Sequence, residues 1–504
     1  MAYTGSAKPR GTLLSLLHHP AASGTLLFAV CAGILGTLIF ASNGFNGVDG
    51  YYHARVADVI IVQRRLALDF PWLPLTILSP ERFVDHHLLY HLYLAPFAHW
   101  GGVVGAKLGQ LAIASGVFVA LWAVLRACRV HMPALWTIAL FCMSFHFLYR
   151  LLMIRTQGAA LLLLLVACYV LIQQRRHLWM LPLSFAFVWL YNGFVLMPVF
   201  AGMYTVADWI VSRRLNPRPL VYSAAGLALG LVVNPYFPQN IGFIIDHLGA
   251  KVDIVGSVEV GNEWYPYKWD ELLISVFGSL VALGAGLIGF VWRRDLRDRV
   301  SWLLLFAALL TLFMLLRSRR FVEYYPAFAL LFAAVIWGRP SAFKLWRFRP
   351  RLAKIAGVLT LVAGAVMGAF VFTATYSTMA DEPDVNALAG AADWLETNTP
   401  AGALIFQTDY DDFTRLFFHN TSNTYLNGLD TTYLLEADPD LWEAWTQIRL
   451  GEVANPSEAI LTKFGTRFIV SGVEAQAFIA QADADPAMRV VYEDEYALVW
   501  EIAE

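Results

Sequence analysis

Apolar residues in this chain gather into runs long enough to be counted one by one. The hydrocarbon core of a bilayer, about 30 Å thick, takes about 20 apolar residues per helix. Runs of that order recur at 24–42, 104–127, 132–152, 157–174, 177–192, 193–211, 219–234, 270–292, 300–316, 320–337 and 353–376. The pattern predicts a polytopic α-helical membrane protein with about 11 transmembrane helices. Only Tyr191-Asn192-Gly193 separates the fifth run from the sixth. The stretch 88–100 (LLYHLYLAPFAHW) is short and rich in His, and reads as interfacial or re-entrant. The first run is longer than a signal-peptide core and lacks a small-residue cleavage site, so it is expected to remain as a span.

After residue 376 the period changes. ALIFQTD (403–409), RFIVSG (467–472) and RVVYED with YALVWEI (489–502) read as strands. VNALAGAADWLE (385–396), PDLWEAWTQI (439–448) and PSEAILTKF (456–464) carry helical spacing. A soluble α/β domain over 377–504 is therefore expected behind a transmembrane domain over 1–376 with outer loops 43–103 and 235–269.

Charge sets the orientation. Residues 1–380 hold 31 Lys/Arg against 15 Asp/Glu, and residues 381–504 hold 5 against 23, so a net charge of −2 conceals two opposite halves. With the N-terminus inside, the inner loops carry Arg126/Arg129, Arg175/Arg176, Arg213/Arg214/Arg218, the RRDLRDR run at 293–299 and the basic stretch from Arg339 to Lys354. Every one is basic, as cytoplasmic loops are. The expected setting is the plasma (inner) membrane, with the two large loops and the acidic tail extracytoplasmic. A charged content of only 15% excludes an ordinary cytosolic enzyme. Cys31, Cys128, Cys142 and Cys168 all lie in apolar runs, so neither a disulfide framework nor a zinc cluster is legible. No Gly-rich phosphate loop and no basic aromatic surface is present, which argues against nucleic acid.

So few charges in the apolar half make each outer one informative. Asp49 follows the first span, and His53 stands four residues on, on the same helical side if 50–68 is helical. Such a carboxylate serves as general base or metal ligand, or simply caps an amphipathic helix whose His53, Ala57, Ile61 face lies on the membrane. FVDHHLLYH (83–91) offers Asp85, His86, His87 and His91, with His87 and His91 spaced for a divalent metal or for the lipid headgroup layer. In the second loop, Glu263 lies in NEWYP among aromatic residues, either on a substrate loop or beside a Trp264/Trp269 membrane anchor. RSRR (317–320), Arg150 and Arg155 fall outside, against the positive-inside trend. Bidentate contacts to a lipid phosphate explain them, as does snorkelling at helix ends. In the tail, Asp409, Asp411 and Asp412 follow a predicted strand, where α/β domains place functional loops or a solvated turn. Asn420-Thr421-Ser422 matches a glycosylation sequon.

Taken together, Asp49-Gly50-Tyr51-Tyr52-His53-Ala54-Arg55, Asp85-His86-His87, Glu263 and Arg319-Arg320 ahead of Tyr324-Tyr325-Pro326 resemble the GT-C superfamily of membrane glycosyltransferases. The likeness is greatest to oligosaccharyltransferase catalytic subunits, and the layout of spans plus soluble tail matches along nearly the whole chain. The resemblance implies transfer of a sugar from a polyprenyl-phosphate-linked donor to an extracytoplasmic lipid, glycan or protein acceptor. It implies Asp49 as the catalytic residue, and Arg319, Arg320 and Arg155 as ligands of the donor phosphate. His53, Glu263 and Asp409 would serve the acceptor or its loop, and Asp49, Asp85, His87 and Glu263 would hold a divalent ion, Mg or Mn. The tail has no WWDYG motif, Thr408-Asp409-Tyr410-Asp411-Asp412 being a loose counterpart, so protein N-glycosylation is not implied. A lone acid also stands where Asp-x-Asp is usual. Two other classes fit the same layout: a non-catalytic GT-C-fold subunit of a membrane complex, and a transporter or flippase for a polyprenyl-linked glycan. A transporter calls for ionisable residues inside spans, for which Glu323 and His146 are the main candidates.

Overall fold

The computed structural model describes residues 20–174, 176–245, 261–340 and 350–503. Lys8, Arg10, Arg175, the loop acids Asp246, Asp253 and Glu259, and part of the basic stretch after Arg339 lie outside the described residues.

The N-terminal three quarters are helical. In chain order they are α1 (Pro20–Ile39), α2 (Asp49–Gln63), α3 (Leu88–Ala127), α4 (Pro133–Ile138), α5 (Phe145–Leu152), α6 (Thr156–Ile172) and α7 (Met180–Leu190). There follow α8 (Leu196–Ser212), α9 (Arg218–Val232), α10 (Trp269–Trp292), α11 (Arg299–Arg317), α12 (Tyr325–Trp337) and α13 (Pro350–Ala380). Among the described residues six helices are long and apolar enough to cross a bilayer, or seven if the bent pair Pro133–Cys142 with Phe145–Leu152 is one span. Thr156–Ile172, His177–Leu190, Arg218–Val232 and Tyr325–Trp337 are apolar but shorter. Each expected run thus has a helical counterpart, while the expected total of about 11 full spans is not reached by length and composition.

Two runs differ from the expectation in shape. The run 132–152 bends by 95°. Ser144 there is extended and its hydroxyl accepts the Phe147 N–H at 3.1 Å, so a new helix starts inside one apolar run. The stretch 88–100 is helical and continues into the next run, with a kink at Gly102 (φ 53°), a backbone angle that glycine adopts readily. On α13, Val358, Leu359, Leu361, Val362 and Val366 are all exposed, an apolar face suited to lipid.

The tail forms α14 (Ala389–Asn398), β1 (Leu404–Gln407), α15 (Asp412–His419), β2 (Thr424–Tyr425), α16 (Thr432–Ala437), α17 (Pro439–Arg449) and α18 (Pro456–Phe464). It ends with β3 (Phe468–Gly472), α19 (Gln476–Ala484), β4 (Met488–Glu493) and β5 (Ala497–Ile502). The five strands are ordered β2-β1-β3-β5-β4, with β1 parallel to β2 and β3, and β5 antiparallel to β3 and β4. One core of Phe406, Trp445, Ile469 and Trp500 fills one side of this sheet. A second joins Phe413, Phe417 and Tyr425 to Tyr52, Phe70 and Leu88 of the helical part.

That shared core brings the tail onto the first outer loop. α15 packs on α2, where the Arg415 guanidinium lies over the Tyr51 ring at 4.6 Å and donates to its hydroxyl at 3.1 Å. Arg55 returns the bond by donating to the Phe418 carbonyl. Trp72 donates its indole N–H to the Thr421 carbonyl (2.9 Å), and its own carbonyl accepts the Tyr425 N–H (2.8 Å). The face of α2 expected on the membrane is instead inside the protein: His53 and Ala57 are buried, and the helix packs against α3.

Candidate functional site

A cavity of about 720 Å³ opens where α2, the turns before α6, α8 and α12, and the tail converge. Its position depends on Gly47, which turns the chain at φ 76° two residues ahead of α2 and lies against the Met153 side chain. A side chain at that backbone angle is strained. Asp49 therefore starts α2 facing the cavity, with His53 one turn further along the same wall. Val48 takes the helix N-cap position, and the Asp49 carboxylate is used for an ion pair with Arg155.

Arg155 ends the extended residues before α6, which aims its guanidinium back at α2. Its other nitrogen reaches Glu263 at 2.9 Å, so it bridges Asp49 and Glu263. Glu263 also meets Arg150 at 2.8 Å and Arg320 at 3.5 Å. Burial alone would raise the Glu263 carboxyl; Arg155, Arg320 and Arg150 reverse this and hold it well below the ordinary range. Its turn is fastened to the segment after α11 by Ser318, which donates to the Glu263 carbonyl at 2.8 Å. The Arg320 guanidinium lies over the Trp264 ring at 4.8 Å. The buried Arg150–Glu323 pair (2.6 Å) continues the cluster behind the wall, which absorbs the Glu323 charge that a transporter reading would use.

Further acids line the same cavity. Glu382, just past α13, accepts the Tyr149 hydroxyl at 2.5 Å. Tyr410, Asp411 and Asp430 come from the tail. Burial, then Asp409 and Asp49, raises the Asp411 carboxyl from 3.8 to about 7. Tyr324, Tyr191 and Tyr433 complete an aromatic lining.

Of the residues singled out in the sequence, Asp49, His53, His86, His87, Arg155, Glu263, Trp264, Arg320 and Asp411 line this cavity. Arg319 does not. It pairs with Glu271 at 2.9 Å, stacks over Tyr267 and faces outward, because consecutive residues of a tight turn point apart. Arg150 does not line the cavity either, and supports Glu263 from behind the wall. Asp409 is likewise displaced: its carboxylate accepts the Asp411 N–H at 2.9 Å and shapes the turn that presents Asp411 instead. Glu382 and Asp430 stand in no motif and were missed, while Tyr410 lies in the loose WWDYG counterpart without having been given a role. The sequon is structural: Asn420 is fully buried and bonds Ala392 (3.1 Å) and Asn423 (2.7 Å).

The expected metal set does not fit. Asp85 is buried away from the cavity, with its oxygens used by His91 (2.8 Å) and the His87 N–H (2.9 Å). Asp49 and Glu263 already hold guanidinium groups. Among the described residues no group of three His, Cys, Asp or Glu side chains is arranged to hold an ion. His91, spaced for a metal with His87, is bonded to His53 at 2.7 Å.

No protein-family model and no curated protein matches the chain. Solved structures do. The apo oligosaccharyltransferase of Archaeoglobus fulgidus superposes with a TM-score of 0.67 at 11% identity, covering 94% of this chain and 72% of that one. ArnT from Cupriavidus metallidurans bound to undecaprenyl phosphate gives 0.59 at 16% identity, over 94% and 97% of the two chains. The mycobacterial arabinofuranosyltransferase AftD gives 0.55 at 14%, over 95% of this chain and 41% of its own. Another structure of the Archaeoglobus enzyme, AglB, contains an inhibitory peptide and a dolichol-phosphate, and one is a complex with Zn and sulfate. Across nearly its whole length, this chain has the GT-C fold.

Proposed function

We propose that the protein transfers a sugar from a polyprenyl-phosphate-linked donor to an acceptor hydroxyl on the extracytoplasmic face. The observation that carries the reading is a single cavity lined by Arg155 and Arg320 together with Asp49, Glu263, Glu382, Asp411 and Asp430, in which Arg155 bridges Asp49 and Glu263. Guanidinium groups suit a leaving phosphate, whose charge grows as the glycosidic bond breaks. Carboxylates suit the hydroxyls of a sugar-like acceptor. Asp49 accepts the attacking hydroxyl's hydrogen bond and orients it. As a base on the cavity wall takes the hydroxyl proton, the oxygen displaces the phosphate at the anomeric carbon, inverting it, and the electron pair of the broken bond leaves on the polyprenyl phosphate. Supporting this, two of the structures sharing the fold are described with dolichol-phosphate and undecaprenyl phosphate.

Purified full-length protein is tested by native mass spectrometry with undecaprenyl phosphate, and by transfer from a panel of polyprenyl-phosphate monosaccharides. Binding that Arg320→Ala weakens at least ~10-fold, with transfer from one donor that Asp49→Asn abolishes, is the expected result. No lipid binding and no transfer from any donor refutes the proposal.

A further inference from the structure

The histidines that fail as metal ligands form a chain with a direction. Asp85 Oδ2 lies 2.8 Å from His91 Nδ1, and His91 Nε2 lies 2.7 Å from His53 Nδ1. All three are buried, with exposures of 3%, 0% and 4%, and His53 ends the chain on the cavity wall one turn from Asp49. A carboxylate only accepts hydrogen bonds, so His91 Nδ1 carries the proton and His91 Nε2 has a lone pair. His53 Nδ1 must then donate, which leaves His53 Nε2 as the basic nitrogen.

Charge points the same way. Among the described residues Asp85 has no Lys or Arg ion pair; its partner is His91. A carboxylate with no cationic side chain of its own favours a positive charge arriving further along the chain. Asp49 is in the opposite position, because a proton on its carboxylate strips Arg155 of a partner.

We propose that His53, backed by His91 and Asp85, takes the proton that the acceptor hydroxyl loses. The hydroxyl proton, oriented by Asp49, passes to His53 Nε2. The freed oxygen pair bonds to the anomeric carbon, the carbon–oxygen bond to phosphate breaks, and its electrons leave with the polyprenyl phosphate. His53 afterwards returns the proton to water in the cavity. Facing His53 are His91 on α3, His86 and His87 ahead of it, Arg155 before α6, and Asp49 on its own helix. Burial, then His91, Arg155 and His86, keeps the imidazole well below its usual pKa and therefore neutral at rest. A donor phosphate against Arg155 offsets one of those charges, so His53 becomes the better base when the donor is in place.

The inference rests on the transfer reading, and the test separates the two. With the donor on which the wild type is active, His53→Gln and Asp85→Asn are compared for kcat, donor KM and pH profile, and for undecaprenyl phosphate binding. The two Asp85 oxygens serve His91 and the His87 N–H separately. An amide in their place has one acceptor oxygen, so Asp85→Asn disturbs the tautomer order while keeping the shape. Both variants are expected to lose kcat at least ~100-fold and to lose the acidic limb of the profile. Lipid binding within ~3-fold of wild type and an unchanged thermal transition show that they are folded. Diethyl pyrocarbonate, which acylates a neutral imidazole, should label His53 in the wild type, less in Asp85→Asn, and less with undecaprenyl phosphate bound. Active variants with wild-type kcat and pH profile overturn the relay alone. A wild type that transfers no sugar overturns the relay and the transfer reading together.

Discussion

Asp411 gives a measurable handle on the cavity. Its carboxyl stands at about 7 in the folded chain against 3.8 unperturbed, through burial and then the nearby Asp409 and Asp49. Between those values the folded state binds more protons than the unfolded one. The stability this group contributes is complete below the unfolded value and lost as pH rises through the folded value. Three units at about 1.36 kcal/mol each give a ceiling of about 4 kcal/mol, and cavity water reduces this to about 2 kcal/mol. Asp411→Asn removes the charge and leaves the shape. The assay is the thermal transition of the detergent-solubilised protein from about pH 4 to about pH 8. The variant should match the wild type at the acid end and melt about 2 °C higher at the alkaline end. A difference that is constant with pH, or largest in acid, refutes the account of Asp411.

Other outcomes follow from single contacts. Arg155→Met leaves Asp49 unpaired beside the cavity and should cost about 3 kcal/mol of stability, with at least ~10-fold weaker undecaprenyl phosphate binding, read by melting and by native mass spectrometry. Arg415→Ala removes both the stacking on Tyr51 and the bond to its hydroxyl. It should cost about 2 kcal/mol and expose the 377–388 junction to limited proteolysis sooner than in the wild type. Gly47→Ala meets the positive φ and should cost about 1 kcal/mol, while transfer falls further than stability because Asp49 is turned; Gly242→Ala, in open space, should change neither.

Much of this arrangement is written in local pattern. Eleven apolar runs became helices, and the tail strands β1, β3, β4 and β5 fall where alternation places them. β2 was missed because two residues, Thr424 and Tyr425, are too few to show a period. The bend at Ser144 was missed because hydropathy does not register one cap inside an apolar run. At the site, residues out of keeping with their surroundings were legible: an Asp after a span, or arginines on the acidic side. What stayed hidden depended on pairings distant in sequence. Nothing local distinguishes Arg320 from Arg319, yet the turn sends one to Glu263 and the other to Glu271. The spacing of His87 and His91 suggested a metal because the partner that decides His91's role, His53, lies 38 residues away. Glu382 and Asp430 are ordinary acids in an acidic tail until the fold brings them to the cavity.

The seam between α2 and α15 has a consequence for how such a protein can change. The arginines that line the cavity are encoded before residue 338, and Glu382, Tyr410, Asp411 and Asp430 in the last quarter of the chain. The clasp of Arg55 and Arg415, the Trp72 bonds and the core that Phe413 and Phe417 share with Tyr52 and Phe70 hold the two together. A tail exchanged with its clasp intact would bring a new acceptor surface to an unaltered donor surface. Under the proposed transfer, acceptor choice becomes a separable part of the gene, and tail swaps are a direct route to redirecting it.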